Sequence, residues 1–322
     1  MLTSTSVAMA NLTSVAILVF VLGMVAARIK SDVRIPDATY QTISIFLLFG
    51  IGLKGGHSLQ SVTLQSVLGP GTLTLLLGVT IPCIAYYSLK WIRGLTDVDR
   101  GALAAHYGST SLVTFTGALL LLENSGIKIE GYATALLTIL EIPGIIVGIF
   151  LGSTNEKNHV SWGKTLHEVL TGRTILLLVG GLLVGVITSA AGYKKVAPFF
   201  IDLQGGFLTL FLLHLGYTAG SNWDQLRRVG PSLATFATVF PLFMGILGVV
   251  SGHLIGMSTG GSTVLGVLCA SASYIAAPAA VSIGLPSANG SIALLASIGI
   301  TFPFNLVVGI PTYLELAKRL AN

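Results

Sequence analysis

Residues able to do chemistry are scarce in this chain, and they gather in two stretches. Cys269-Ala270-Ser271-Ala272-Ser273-Tyr274-Ile275-Ala276-Ala277-Pro278 places hydroxyls, small side chains and a proline in an otherwise apolar segment. His106-Tyr107-Gly108-Ser109-Thr110-Ser111-Leu112-Val113 does the same in the first half, with Ser109 and Ser111 each 162 positions before Ser271 and Ser273. In lipid, a helix breaks only where the freed amides and carbonyls face protein, water or ligand. Breaks at Gly108-Ser109-Thr110-Ser111 and at Ser271-Ala272-Ser273, just before Tyr274, would leave half-helix starts whose N–H groups and positive dipole ends suit a small anion. The alternative is that the hydroxyls bond back to their own helices and only pack. Recurrence of both stretches at one offset favours a midplane site between internal repeats.

Glu141, in Leu140-Glu141-Ile142-Pro143, is the most informative single residue. An acidic group at membrane depth costs about 2.5–3.5 kcal/mol on insertion scales, so it is usually kept for an ion, a proton or a partner. Pro143 frees a nearby carbonyl, a neutral oxygen ligand for a hard cation. The bland reading is a carboxylate that snorkels to a helix end or pairs with a neighbour. In the second half, Thr301, Pro303 and Asn305 stand in the equivalent place. One carboxylate plus neutral oxygens describes a sodium site better than a tight divalent one.

The elements that must position these residues are read from composition. The 322 residues are 53% hydrophobic and 9% charged, where a soluble domain has about 25% charged residues. This is the composition of an integral membrane protein. The formal net charge of +5 comes from Lys and Arg lying between apolar runs, so it reports topology and not a nucleic-acid surface. Cys83 and Cys269 both fall in apolar runs and make neither a disulfide framework nor a transition-metal cluster.

Ten apolar spans are expected near 11–28, 38–54, 67–91, 101–123, 131–152, 172–191, 197–219, 231–257, 262–285 and 290–316. They lack the alternation of a barrel, so the class is all-α. Breakers repeat between the halves: Gly23 matches Gly185 and Pro36 matches Pro198 at 162, Gly52 and Gly56 match Gly216 and Gly220 at 164, and Pro143 matches Pro303 at 160. Five spans per half, an odd number, require the second half to be inverted. The expected organisation is a first repeat over 1–152, a polar cytoplasmic linker over 153–171 and a second repeat over 172–322. No Lys or Arg precedes the first apolar run, while Arg28, Lys30 and Arg34 follow it, which reverses a signal peptide's charge order and reads as a retained first helix. With both termini outside, eleven of the 17 Lys and Arg fall on cytoplasmic segments, Lys157, Lys164, Arg173, Arg227 and Arg228 among them; Lys194-Lys195 is a local exception.

Other features carry less. His106 and His214 lie within spans and suit either proton transfer or a bond to a neighbouring helix. Gly144, Gly148 and Gly152 form a small-residue stripe for close packing. Gly163-Lys164-Thr165 resembles the end of a phosphate loop, but Asn158 stands where its first glycine is needed.

Taken with their neighbours, these motifs resemble the sodium-dependent bicarbonate transporter family, best known from cyanobacteria, and its bacterial relatives. The resemblance covers nearly the whole chain. It is carried by Gly50-Ile51-Gly52-Leu53-Lys54-Gly55-Gly56, Gly108-Ser109-Thr110-Ser111, Glu141-Ile142-Pro143 and, most specifically, Ala270-Ser271-Ala272-Ser273 continuing into Gly284-Leu285-Pro286-Ser287-Ala288-Asn289. It implies ten helices in two inverted five-helix repeats, a core domain moving against a gate domain, a homotrimer in the inner membrane, and bicarbonate bound with sodium where broken helices 4 and 9 cross. Carried over, Gly108, Ser109, Thr110, Ser111, Ser271, Ala272, Ser273 and Tyr274 become substrate contacts, and Glu141, Ser109, Ser271, Thr301 and Asn305 sodium ligands. Tyr274 stands where cyanobacterial members have an acidic residue. The linker is shorter than theirs and gives no support for the family's small nucleotide-sensing regulatory partner.

The leading expectation is therefore a sodium-coupled symporter of bicarbonate, with no cofactor beyond the coupling ion and no enzymatic activity. Another small anion or a short carboxylate, with sodium or proton coupling, is the rival within the class. Hydroxyls and amides are expected to hold the anion, since no Arg falls within the fourth or ninth span as bounded above. A channel would need a continuous polar pore face. An intramembrane serine hydrolase would need an oriented base, and His106 has no partner in the sequence to orient it. The charge count yields a test: a cysteine placed at Asn158 is labelled by a membrane-impermeant thiol reagent only from the cytoplasmic side, and labelling from outside intact cells reverses the assigned orientation.

Overall fold

The computed structural model describes residues 15–154, 161–224 and 230–321. Lys157, Asn158, His159, Arg227 and Arg228 lie outside the described residues. Among the described residues every regular element is a helix. In chain order these are α1 (Val15–Arg28), α2 (Asp37–Leu59), α3 (Leu64–Trp91), α4 (Asp97–Gly108), α5 (Leu112–Asn124), α6 (Ala133–Ser153), α7 (Trp162–Thr171), α8 (Arg173–Ile187), α9 (Ala190–Ser221), α10 (Pro231–Leu254), α11 (Thr259–Cys269), α12 (Ala276–Gly284) and α13 (Gly290–Ala321).

Each apolar span expected from the sequence carries helix, but six of these helices, α2, α3, α6, α9, α10 and α13, are long and apolar enough to cross a membrane. A seventh crossing results if α7 and α8, bent by 49° at Gly172, are joined; α1 and α11 are shorter apolar helices. The expected fourth and ninth spans are each divided in two, α4 with α5 and α11 with α12, none of which alone approaches the roughly 20 residues of a crossing.

Two boundaries depart from expectation for identifiable reasons. The described part of the linker carries a helix: Thr165 and Val169, one turn apart on α7, are buried, while Trp162, Leu166 and Leu170 form an exposed apolar ridge beside them. Hydropathy misses this helix because its apolar residues are interleaved with Lys164, His167 and Glu168. The second departure is a correction. α4 begins at Asp97 and not near 101, so Arg100 does lie within the first broken span. A capping box sets this start, with Thr96 Oγ1 accepting from Asp99 N at 3.1 Å and Asp99 Oδ2 accepting from Thr96 N at 3.2 Å. Arg100 is held in the first turn by Asp97 at 2.6 Å, about 12 Å of helix rise from Gly108.

Packing follows the glycines. α1 packs on α9 and α2 on α8. Gly23 of α1 lies against the α9 backbone at Leu213–Tyr217, and Gly216 of α9 against Phe20; Gly185 of α8 lies against the α2 backbone at Leu53–His57, and Gly56 of α2 against Leu182. Gly23 and Gly185 stand 162 positions apart and Gly56 and Gly220 164 apart, so the two interfaces place glycines at matching offsets against each other's partners. The remaining helices show the same reciprocity: α3, α4 and α6 pack on one another in the first half as α10, α11 and α13 do in the second.

Polar contacts tie the ends. Gln60 Nε2 donates to the carbonyls of Gly185, Val186 and Thr188 at 3.0, 3.0 and 2.8 Å, closing the end of α8. Lys54 pairs with Glu123 at 2.5 Å, and Asp99 Oδ1 accepts from Asn289 N at 2.8 Å. α13 is wound unevenly, with π-helical turns at Ser297–Thr301 and Asn305–Gly309.

The stripe on α6 meets α4 directly. A Cβ at Gly144 would strike the Gly108 carbonyl, one at Gly148 the Ala105 backbone, and one at Gly152 Gly101. Gly148→Leu therefore has to push α4 away, and overpacking of this kind costs about 1–3 kcal/mol or more. We expect Gly148→Leu to lower the detergent melting temperature or abolish the monodisperse fraction, while Gly180→Ala, which meets nothing within 4 Å, leaves both unchanged.

Candidate functional site

The first break is built by close approach. α4 ends at Gly108, whose Cα side faces Pro82 of α3 and whose carbonyl faces Gly144 of α6. Larger residues at either place would hold the three helices apart. The chain then turns extended at Ser109 (φ −103°, ψ 178°), and α5 starts behind Ser111 as its N-cap. Ser111 Oγ accepts from Thr114 N at 3.2 Å and from Thr114 Oγ1 at 2.9 Å. Ser109, Thr110 and Ser111 are all buried.

The second break runs from Ala270 to Ile275. The Ala270 carbonyl, freed where α11 stops, accepts from Asn305 Nδ2 at 2.7 Å. Ser271 Oγ donates to Val267 O at 2.7 Å, the back-bonding that the packing alternative foresees. Ser273 Oγ accepts from Ala277 N at 3.2 Å at the start of α12.

The two breaks, far apart in sequence, are joined at two points. Ser273 N donates to the His106 carbonyl at 2.8 Å, and Ser111 Oγ donates to the Tyr274 hydroxyl oxygen at 3.0 Å. Freed backbone in one broken span is thus partnered by the other, and the starts of α5 and α12 are held at one crossing. All eight expected anion contacts, Gly108 to Ser111 and Ser271 to Tyr274, belong to this buried crossing.

Glu141 sits beside it. Gly144, one turn on, lets α6 approach the end of α4, and Thr110 Oγ1 donates to Glu141 Oε2 at 3.4 Å. The residue is 2% exposed, and among the described residues no Lys, Arg or His forms an ion pair with it. Two hydroxyls nearby in the fold, Ser109 Oγ and Thr138 Oγ1, are buried without a hydrogen-bond partner. Thr138 was not singled out from the sequence, although it stands one turn before Glu141 on α6, a spacing that places both on one face.

The second-half counterparts are engaged differently. Thr301 Oγ1 donates to Ala237 O at 2.7 Å and lies 2.7 Å from the Tyr107 hydroxyl. Ala237 O needs that donor because Pro241, four residues on, supplies no N–H. Asn305 uses its amide nitrogen on Ala270, and its Oδ1 accepts from Tyr313 OH at 3.4 Å. These two residues knit α13 to α10 and α11, so the acceptor capacity left over lies on the Glu141 side. The histidines also find neighbours: His106 Nδ1 is 3.4 Å from Ser297 Oγ, and His214 stacks on Tyr40 at 4.3 Å. Among the described residues no group of three or more His, Cys, Asp or Glu is placed to hold a metal ion.

A family model described as the Na+-dependent bicarbonate transporter superfamily matches residues 15–318, nearly the whole chain. The chain belongs to that superfamily. No curated protein matches it. Membership of this transporter superfamily, with apolar helices sufficient for a multi-pass membrane protein, is what the paired breaks and the buried carboxylate have to be read against.

Ser111 and Tyr274 offer a test of the crossing itself. Ser111→Ala removes the α5 cap and the bridge together, costing about 0.5–2 kcal/mol, while Tyr274→Phe removes one acceptor, costing about 0.5–1.5 kcal/mol. A double-mutant cycle on detergent melting is expected to show coupling of about 0.5 kcal/mol or more between them. Strict additivity would separate the two breaks in solution.

Proposed function

We propose that this superfamily member is a secondary active transporter that carries bicarbonate into the cell by symport with sodium. The observation that carries the reading is the pair of buried helix breaks, tied to each other, with an unpaired buried carboxylate beside them. In this reading the sodium ion lies at Glu141, with Thr110 and the unpartnered hydroxyls of Ser109 and Thr138 as neutral oxygens. The anion lies at the starts of α5 and α12, held by helix-start N–H groups and by Ser111 and Ser273. Coupling follows from charge. A carboxylate alone repels the anion, and a sodium ion that cancels it makes the anion's place favourable, so each ion raises the other's affinity by the same factor.

The same proposal takes the broken and shorter helices as crossings, giving ten in two inverted five-helix repeats. The reciprocal interfaces α1 with α9 and α2 with α8, and the matching trios α3, α4, α6 and α10, α11, α13, support it. In this proposal α1, α2, α8 and α9 form the gate and the rest the core, in an inner-membrane homotrimer with both termini outside. A second reading, transport of another small anion or short carboxylate by the same machinery, draws on Tyr274, whose phenol fills the second break where a smaller residue would leave more room.

The decisive measurement is uptake into proteoliposomes against sodium concentration, normalised to folded protein. Wild type should concentrate bicarbonate only with an inward sodium gradient. Glu141→Gln keeps shape and one oxygen but loses the charge, so half-maximal uptake should need about tenfold more sodium or beyond, with bicarbonate affinity falling in step. An unchanged sodium midpoint would remove Glu141 from the site, and sodium-independent uptake in wild type would remove symport.

A further inference from the structure

A cavity of about 380 Å³ runs from the α7–α8 corner to the start of α12, touching Glu168, Arg173, Thr174, Ile275 and Ala276. Ile275 follows Tyr274 directly, so the cavity begins where the second break ends. Its remaining wall is largely apolar, with Ile145, Val169 and Ile175. Two groups in it have neither an ion pair nor a side-chain hydrogen bond among the described residues. Arg173 is exposed and forms no ion pair among the described residues. Thr174 is 6% exposed, lines the cavity, and makes no side-chain hydrogen bond among the described residues. The start of α8 carries no side-chain cap and no acidic residue in its first turn, so its field adds to that of the guanidinium. Glu168 is half-buried, lines the same cavity and forms no ion pair with Arg173.

We propose that this cavity is a second anion site, a waiting position for a small planar oxyanion held by the Arg173 guanidinium and the Thr174 hydroxyl. A guanidinium offers two parallel N–H donors to two oxygens of a carbonate-like ion, and apolar walls strengthen that attraction. The Glu168 carboxylate in the same lining repels the anion and keeps the hold weak enough for release, as passage through successive sites requires. The site's place on the release path rests on the transport reading above; its capacity to bind an anion does not. A phospholipid phosphate shares the same chemistry, since α7 presents an exposed apolar ridge beside the cavity.

Two arms test this. In the first, Ala279→Cys, an exposed residue of α12 that lines the cavity, in a Cys83→Ala, Cys269→Ala background, purified in detergent, is modified with a sulfonate-bearing thiol reagent. Bicarbonate should slow the modification several-fold, and adding Arg173→Gln should abolish that protection; absence of protection with Arg173 present overturns the site, whatever the protein transports. In the second, wild type and Arg173→Gln are compared in oriented proteoliposomes. Half-saturating bicarbonate should rise about tenfold from the side on which α7 lies and stay unchanged from the other, with the sodium midpoint unmoved. Equal shifts on both sides, or none, refute a side-specific site. An effect present with phosphatidylglycerol and absent in pure phosphatidylcholine assigns Arg173 to a lipid headgroup and also overturns the proposal.

Discussion

A peptide group deprived of its helix partner inside a membrane has to find another partner within the protein, and this requirement shapes the molecule more than any other. Each unsatisfied group would cost several kcal/mol in hydrocarbon, so a break is tolerable only if its surroundings are built for it. Here each broken span serves the other. The His106 carbonyl is met by the Ser273 amide, the Ala270 carbonyl by Asn305, and the α5 start by Ser111, which in turn leans on Tyr274. The glycines of α6 are the counterpart of this arrangement, because Gly144 lets backbone come close enough to the first break for Glu141 to stand beside it.

The halves resemble each other in packing and differ in chemistry. Proline recurs in matching helices, and each recurrence leaves a carbonyl without its donor. In the second half Thr301 takes up that duty for Ala237 and Tyr107 stacks its hydroxyl alongside. In the first half the equivalent position is a carboxylate that, among the described residues, is met by a single long hydrogen bond. Thr301 is thus spent on structure, while Glu141 keeps acceptor capacity that the described residues do not use.

Much of this was legible in the sequence. The two interruptions, the glycine register and the isolation of Glu141 follow from residue type and spacing, because apolar runs leave few places for polar groups to hide. What escaped was governed by partners distant in the chain. Nothing local to Thr138 says that its hydroxyl lacks the usual back-bond, and nothing local to Ser271 says that its hydroxyl has one. The start of α4 escaped because capping, and not hydropathy, decides where a helix begins, so Arg100 fell outside the expected span. α7 escaped because a short helix with mixed character has a weak average and a strong face.

The uneven winding of α13 bears on how that helix can change. An ordinary helix advances 3.6 residues per turn, so side chains four apart drift steadily around the axis. The two π-helical segments widen the turn and slow that drift, which keeps Thr301, Asn305 and Tyr313 on one side, where they reach α10 and α11. The alignment is a property of residue count as much as of residue identity. Exchanging one side chain in this stretch costs one contact, whereas removing one residue turns everything beyond it by about 100° and takes the whole polar row off its partners together.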